Sequence, residues 1–134
     1  MHLFNLQIVT PDGLFFDGDV IMINIHTLEG WIGIRARHTD FLTALGMGEC
    51  RVDLEDGTSK YAACIGGMVA VVNGQVRVAA TTFEWAESID AERANAAKLR
   101  AESIIASAGS PEEKHVAEMR LRRALVRLSV TRVQ

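Results

Sequence analysis

Two periods divide the chain. Up to about residue 84, apolar residues tend to recur at every second position. Beyond Glu84 they recur at every third and fourth. In FNLQI, Phe4, Leu6 and Ile8 alternate with Asn5 and Gln7, which predicts a strand with one apolar face. VIMINIH (20–26) is strand-like and nearly continuous in apolar residues, as in a sandwich interior. CRVDL sets Cys50, Val52 and Leu54 against Arg51 and Asp53, and EDGT (55–58) then turns the chain into KYAACI. TPDG (10–13) and DGD (17–19) are further turns, because proline presets φ and glycine accepts positive φ. In MVAVVNGQVRVAA, Asn73-Gly74 is a strong two-residue hairpin signal. Many short strands joined by glycine-rich turns predict a β-sandwich or barrel over residues 1–86.

From residue 87 to 134 the spacing predicts helices. Ala94, Ala97, Ala101, Ile104 and Ala108 share one face, with Ser88 or Asp90 as the N-cap and Gly109 at the stop. Ser110 and Glu113 form a capping box with Pro111 at the first helical position. Ala117, Leu121, Ala124 and Leu128 line the second helix. So short a link makes the two helices an antiparallel hairpin, and the fold class α+β. The facing stripes are largely alanine. At about 25 cal/mol per Å² of apolar area, such packing stabilises far less than leucine packing would. The hairpin is therefore expected to be weakly held and able to rest in more than one place.

Charge adds an asymmetry. The 134-residue chain carries a formal −3, yet from Lys114 onward six basic residues stand against one acid. The tail is thus about +5 and the remainder about −8. A basic helix on an acidic body suits an acidic partner, whereas the body would repel nucleic acid. No run approaches the roughly 20 apolar residues of a membrane span, and MHLFNLQIV lacks the form of a secretory signal. Cys50 and Cys64 match no metal spacing and read as reduced core thiols. His2, His26, His38 and His115 are scattered, Gly66-Gly67 lacks the flanking residues of a phosphate loop, and no nucleophile elbow appears. No catalytic or metal set can be assembled, so the chain is not expected to be an enzyme.

The order of motifs resembles the ε subunit of bacterial F-type ATP synthases. The segments are IVTPDG (8–13), FDGDV (16–20), EGWIGI (29–34) with His38 following, IGGMVAVVNGQVRVAA (65–80), IDAERA (89–94) and RRALVRL (122–128). The resemblance implies a ten-stranded β-sandwich followed by the two-helix hairpin. It also implies a non-catalytic place in the rotating central stalk, against the γ subunit, the c-ring and the α/β catalytic head. There the subunit would couple rotation to catalysis and restrain ATP hydrolysis through its hairpin. It would be peripheral to the bacterial cell membrane on the cytoplasmic side, held there through the complex. The other reading of the same layout is a stand-alone nucleotide-sensing module.

The resemblance also implies site residues. Residues 29–38 would face the c-ring and γ, through Glu29, Trp31, Arg35, Arg37 and His38. Here the chain departs from the family pattern, with Ala36-Arg37 where Pro-Gly commonly precedes the histidine, and Trp31 where a polar residue is usual. Some family members hold regulatory ATP without hydrolysing it, and the matching positions are Glu84, Ile89, Asp90, Arg93, Ala94, Arg123 and Arg127. Arg123 and Arg127 are four apart and share a helix face, which suits phosphate oxygens. Asp90 would either accept from a purine amino group or cap its helix, and Arg93 would either join the site or pair with Asp90. On an extended hairpin, Arg120, Arg122, Arg123 and Arg127 would meet an acidic segment of the catalytic β subunit. No cofactor is required in this reading beyond ATP as regulator.

Overall fold

A computed structural model describes residues 2–132. The alternating segments form seven strands: β1 (Phe4–Thr10), β2 (Gly13–Thr27), β3 (Gly30–Arg35), β4 (Phe41–Ala44), β5 (Met47–Leu54), β6 (Ser59–Val72) and β7 (Gln75–Trp85). A 3₁₀ turn at Ala86–Ser88 leads into α1 (Ala91–Ser107) and α2 (Pro111–Thr131). Neighbours run in the order β1-β7-β6-β5-β2-β3, β1 also pairs with β2, and β4 lies beside β6. Five strands thus close a flattened ring, with β3 and β4 added outside it. Every ladder is antiparallel except β1–β7.

The expected ten strands are corrected to seven. The reason lies in β2 and β6, long strands that change partners and pass from one layer of the sandwich to the other without breaking. β2 pairs with β1 up to Val20, with β5 from Val20 and with β3 from Met22, with a bulge between Val20 and Met22. β6 faces β5 up to Ile65 and β4 from Met68. Its bend falls at Gly66-Gly67, where φ is 73° and 115°. A Cβ on Gly67 would lie 2.1 Å from the Ala79 carbonyl oxygen, so only glycine lets β6 turn this close to β7.

The core is made of the inward positions that alternation marks: Leu6, Ile8, Val20, Ile23, Ile25, Val52, Val69 and Val78 are all fully buried. Cys50 and Cys64 are buried free thiols. They are diagonal rather than opposite, since Cys50 pairs with Ala62 and Cys64 with Gly48. Asn73 and Gly74 take φ of 50° and 79°, the left-handed pair that a tight hairpin needs.

The caps follow the sequence closely. Asp90 caps α1 by accepting from the Arg93 amide at 3.0 Å, and Ser110 caps α2 by accepting from the Glu113 amide at 3.1 Å. The return bond of the capping box is shifted by one residue, since Glu113 accepts from the Gly109 amide. Gly109 is not left-handed; α1 ends on Ala108 in an extended conformation. Ala94 and Ala101 of α1 and Ala117 and Ala124 of α2 are the buried alanines of the hairpin. No described helix is long and apolar enough to cross a membrane.

Candidate functional site

The hairpin lies folded against the outer face of the sandwich, and α2 makes the contact with β5 and β6. Val130 is fully buried there with Ala63 and Ala86, and Tyr61, Ile89 and Val126 pack around them. Polar bonds flank this patch. The Arg127 Nε donates to Glu84 at 2.6 Å, and the Ser129 hydroxyl donates to Glu49.

Where β7 hands over to α1, a cavity of about 610 Å³ opens between hairpin and sandwich. It is lined by Glu84, Ser88, Ile89, Asp90, Arg93, Ala94, Ala96, Ala97, Arg100 and Arg127. An adjoining groove of about 290 Å³ between the two helices is lined by Ala97, Arg100, Ala101, Ile104, Arg120, Arg123 and Arg127. The structure therefore gathers Glu84, Ile89, Asp90, Arg93, Ala94 and Arg127 in one cavity and puts Arg123 next door. Asp90 takes the capping role, and it holds the Arg93 amide, not the guanidinium. Among the described residues the ion pairs are Arg51–Asp53, Lys60–Glu87 and Arg127–Glu84. Arg93, Arg100, Arg120 and Arg123 have no carboxylate partner there, so the wall of the cavity and groove is cationic. Such a wall can hold an anion by charge-assisted hydrogen bonds.

Sequence reasoning missed Arg100, which lines both spaces. The signal was present, because Arg93, Ala97 and Arg100 are spaced by four and three and so share a helix face. Arg122 is exposed and lines neither space.

The residues expected at a stalk interface are spread along β3. Trp31 is 56% exposed, with its ring edge-on to His26 at 5.1 Å. Glu29 is exposed in the turn before it. Arg35 lies at the far end of β3, about 13 Å along the strand from Trp31. Arg37 is exposed and its guanidinium lies 3.4 Å from the His2 ring, while the His38 ring nitrogen lies 2.8 Å from the Thr39 carbonyl and the ring packs on Phe41. Arg37 has φ of 66°. The backbone thus keeps the left-handed turn at the position where Gly is common, with a side chain that pays strain for it.

A second surface went unnoticed in the sequence. Leu42 of β4 and Met68 and Val72 of β6 are 66%, 40% and 54% exposed. Leu42 pairs with Ala70, which makes one outward apolar face across the two strands. Beyond it a polar ladder follows, in which Arg77 donates to Gln7 and both Asn5 and Gln7 donate to Asp17. The run MVAVV is apolar on both faces, the pattern of a doubly covered strand, yet in the isolated chain one face is open.

Residues 3–86 match the family domain described as "ATP synthase, Delta/Epsilon chain, beta-sandwich domain", and residues 87–132 match its "long alpha-helix domain". The chain belongs to the ATP synthase delta/epsilon family. Among its relatives, the ATP synthase epsilon chain of Caldicellulosiruptor bescii is 36% identical over 130 residues, covering 97% of this chain and 94% of that one. The epsilon chain of Bacillus velezensis is 38% identical over 130 residues, covering 97% and 98%. In fold, the chain is similar to one in the Euglena gracilis mitochondrial ATP synthase structure, with a TM-score of 0.85 at 22% identity, covering 98% of this chain and 82% of that one. A chain of the Tetrahymena thermophila central stalk and c-ring structure gives 0.63 at 17% identity, covering 95% of each. Members of this family are non-catalytic subunits of the rotary synthase, and this chain is not an enzyme on its own.

Proposed function

We propose that this delta/epsilon chain is the ε-type subunit of an F-type ATP synthase, seated in the central stalk between the γ subunit and the c-ring. The observation that carries the reading is the open apolar face of Leu42, Met68 and Val72. A sheet face of this composition needs a cover, and a large subunit of the stalk supplies one. The γ subunit takes this face. The turn carrying Glu29 and Trp31 meets the polar loops of the c-ring, and Arg35, Arg37 and His38 extend the contact toward γ. The subunit is then peripheral to the bacterial membrane on its cytoplasmic side. Co-purification with γ tests this: the full chain binds, and Leu42→Asp with Val72→Asp abolishes binding while thermal stability is unchanged. A variant that binds γ as the parent does refutes the docking face, and a parent that never binds γ favours the stand-alone sensor instead.

The hairpin supplies regulation. Folded, it keeps Arg120, Arg123 and Arg127 in its groove; extended, it offers them with Arg122 to an acidic segment of the catalytic β subunit and slows hydrolysis. The cationic cavity supports ATP as the ligand of the folded state, with Arg93, Arg100, Arg123 and Arg127 toward the phosphates and Ile89, Ala94 and Asp90 toward the base. Glu84 orients Arg127. Binding the folded state alone stabilises it by RT ln(1 + [L]/Kd), about 2.7 kcal/mol at a hundredfold excess over Kd. That is the scale on which an alanine-faced hairpin is held. ATP should raise the melting midpoint of the isolated protein, and Arg123→Ala should remove the rise. A midpoint indifferent to ATP in the parent protein refutes the nucleotide reading.

A further inference from the structure

We infer that Glu49 is one half of a two-carboxylate saddle on which α2 rides, and that its charge keeps the hairpin ready to leave. Glu49, Ala63 and Glu84 stand in one row across β5, β6 and β7, since Ala63 pairs with both glutamates. Two strand spacings of about 4.8 Å put the glutamate backbones roughly 10 Å apart. Ala63 between them is on the outward face yet fully buried, because α2 covers it. On α2, Val126 and Val130 point at Ala63. At 3.6 residues per turn, Arg127 and Ser129 stand roughly 80° to either side of that stripe. Each reaches the carboxylate on its own flank, Arg127 to Glu84 and Ser129 to Glu49. The helix therefore lies along β6 with a bond on both sides, and sliding or rolling it breaks both at once.

The two flanks are not equivalent. Glu84 meets a guanidinium, whereas Glu49 meets only a hydroxyl, and among the described residues no cation pairs with it. Arg51, two residues on along β5, is bonded to Asp53. Ser129 lies in the last turn of α2, where the helix dipole is negative and a carboxylate is the unfavourable charge. Glu49 thus holds the hairpin by its acceptor oxygen and pushes it off by its charge. The inference rests on the hairpin being able to leave the sandwich, and is independent of nucleotide.

The two effects of Glu49 separate by substitution. Val130→Cys in the full chain gives a thiol that is alkylated only when α2 lifts, while Cys50 and Cys64 stay buried in the core. In that background Glu49→Gln keeps the acceptor and removes the charge, and labelling should slow about two- to fivefold. Glu49→Ala removes acceptor and charge together, and labelling should still speed up, by about two- to fivefold. Ser129→Ala loses the bond but keeps the charge and should speed labelling about tenfold, and the two together should match Glu49→Ala, as for a single shared bond. Gln and Ala variants that change the rate in the same direction, or single effects that multiply in the double variant, overturn the saddle. Labelling that never occurs in any folded variant overturns hairpin mobility and the saddle with it; labelling that ignores Glu49 overturns the saddle alone.

Discussion

Val130→Ala is expected to detach the hairpin while leaving the sandwich intact. Val130 is fully buried, and it is the largest side chain wholly enclosed between α2 and the sheet. The substitution removes two methyl groups, about 1.6 kcal/mol at about 0.8 kcal/mol each. A small residual cavity brings the loss to about 2 kcal/mol. That lowers the ratio of docked to free hairpin roughly thirtyfold. The flanking bonds from Arg127 and Ser129 do not compensate, because they depend on the same seating. The sandwich should not notice, since its core of Leu6, Ile8, Ile23 and Val69 lies on the other side of the sheet. Thermal unfolding followed by two probes separates the cases. Far-UV circular dichroism at the helix minimum reports α1 and α2, and tryptophan fluorescence reports the sandwich, which carries both Trp31 on β3 and Trp85, whose ring packs on Phe16 and Phe83. In the parent the two transitions should lie close together. In the variant the helical transition should fall by many degrees and the fluorescence midpoint should stay. If both midpoints fall together, hairpin and sandwich are one cooperative unit and the case for a separately held hairpin fails.

Three further outcomes follow from local geometry. Gly67→Ala would drive a Cβ to within 2.1 Å of the Ala79 carbonyl at a φ of 115°, and should cost more than about 3 kcal/mol or prevent folding, as read by urea denaturation. Arg37→Gly relieves a left-handed residue and should stabilise by about 0.5–1 kcal/mol in the same assay, after the extra chain entropy of glycine is subtracted. Burial pushes the Cys64 thiol up to about 12, and burial together with the neighbouring Cys64 raises Cys50 well above its ordinary value. The folded state then holds protons that the unfolded state releases, so stability should be full below pH 9 and fall as pH rises toward 12, which Cys64→Ser should blunt.

The strand positions, the caps and the hairpin turn were legible because each is settled by residues near in sequence. Phe4, Leu6 and Ile8 alternate whatever lies opposite them, Asn73-Gly74 supplies its own left-handed pair, and Ser110 reaches an amide three residues on. The nucleotide candidates were legible only through family resemblance, and the structure brings Glu84 and Arg127 together from segments 43 residues apart in the chain. Arg100 could have been found from helical spacing alone. The saddle could not, since nothing in GEC or RLSV states that Ser129 meets Glu49 across 80 residues.

By itself, then, the chain of residues determined where it alternates, where it coils, where it turns, and that its helices face each other with alanine. Those are consequences of φ/ψ preference, side-chain period and short-range hydrogen bonding. Only the tertiary structure decided that β2 continues across a bulge and β6 bends at Gly66-Gly67 instead of breaking, and that one apolar sheet face is covered by α2 while another stays open. It also decided that Arg127 pairs with Glu84 while, among the described residues, Arg93, Arg100 and Arg123 face the cavity and groove without a carboxylate partner. Coverage and pairing depend on distances between residues remote in sequence, and those exist only once the sheet has closed.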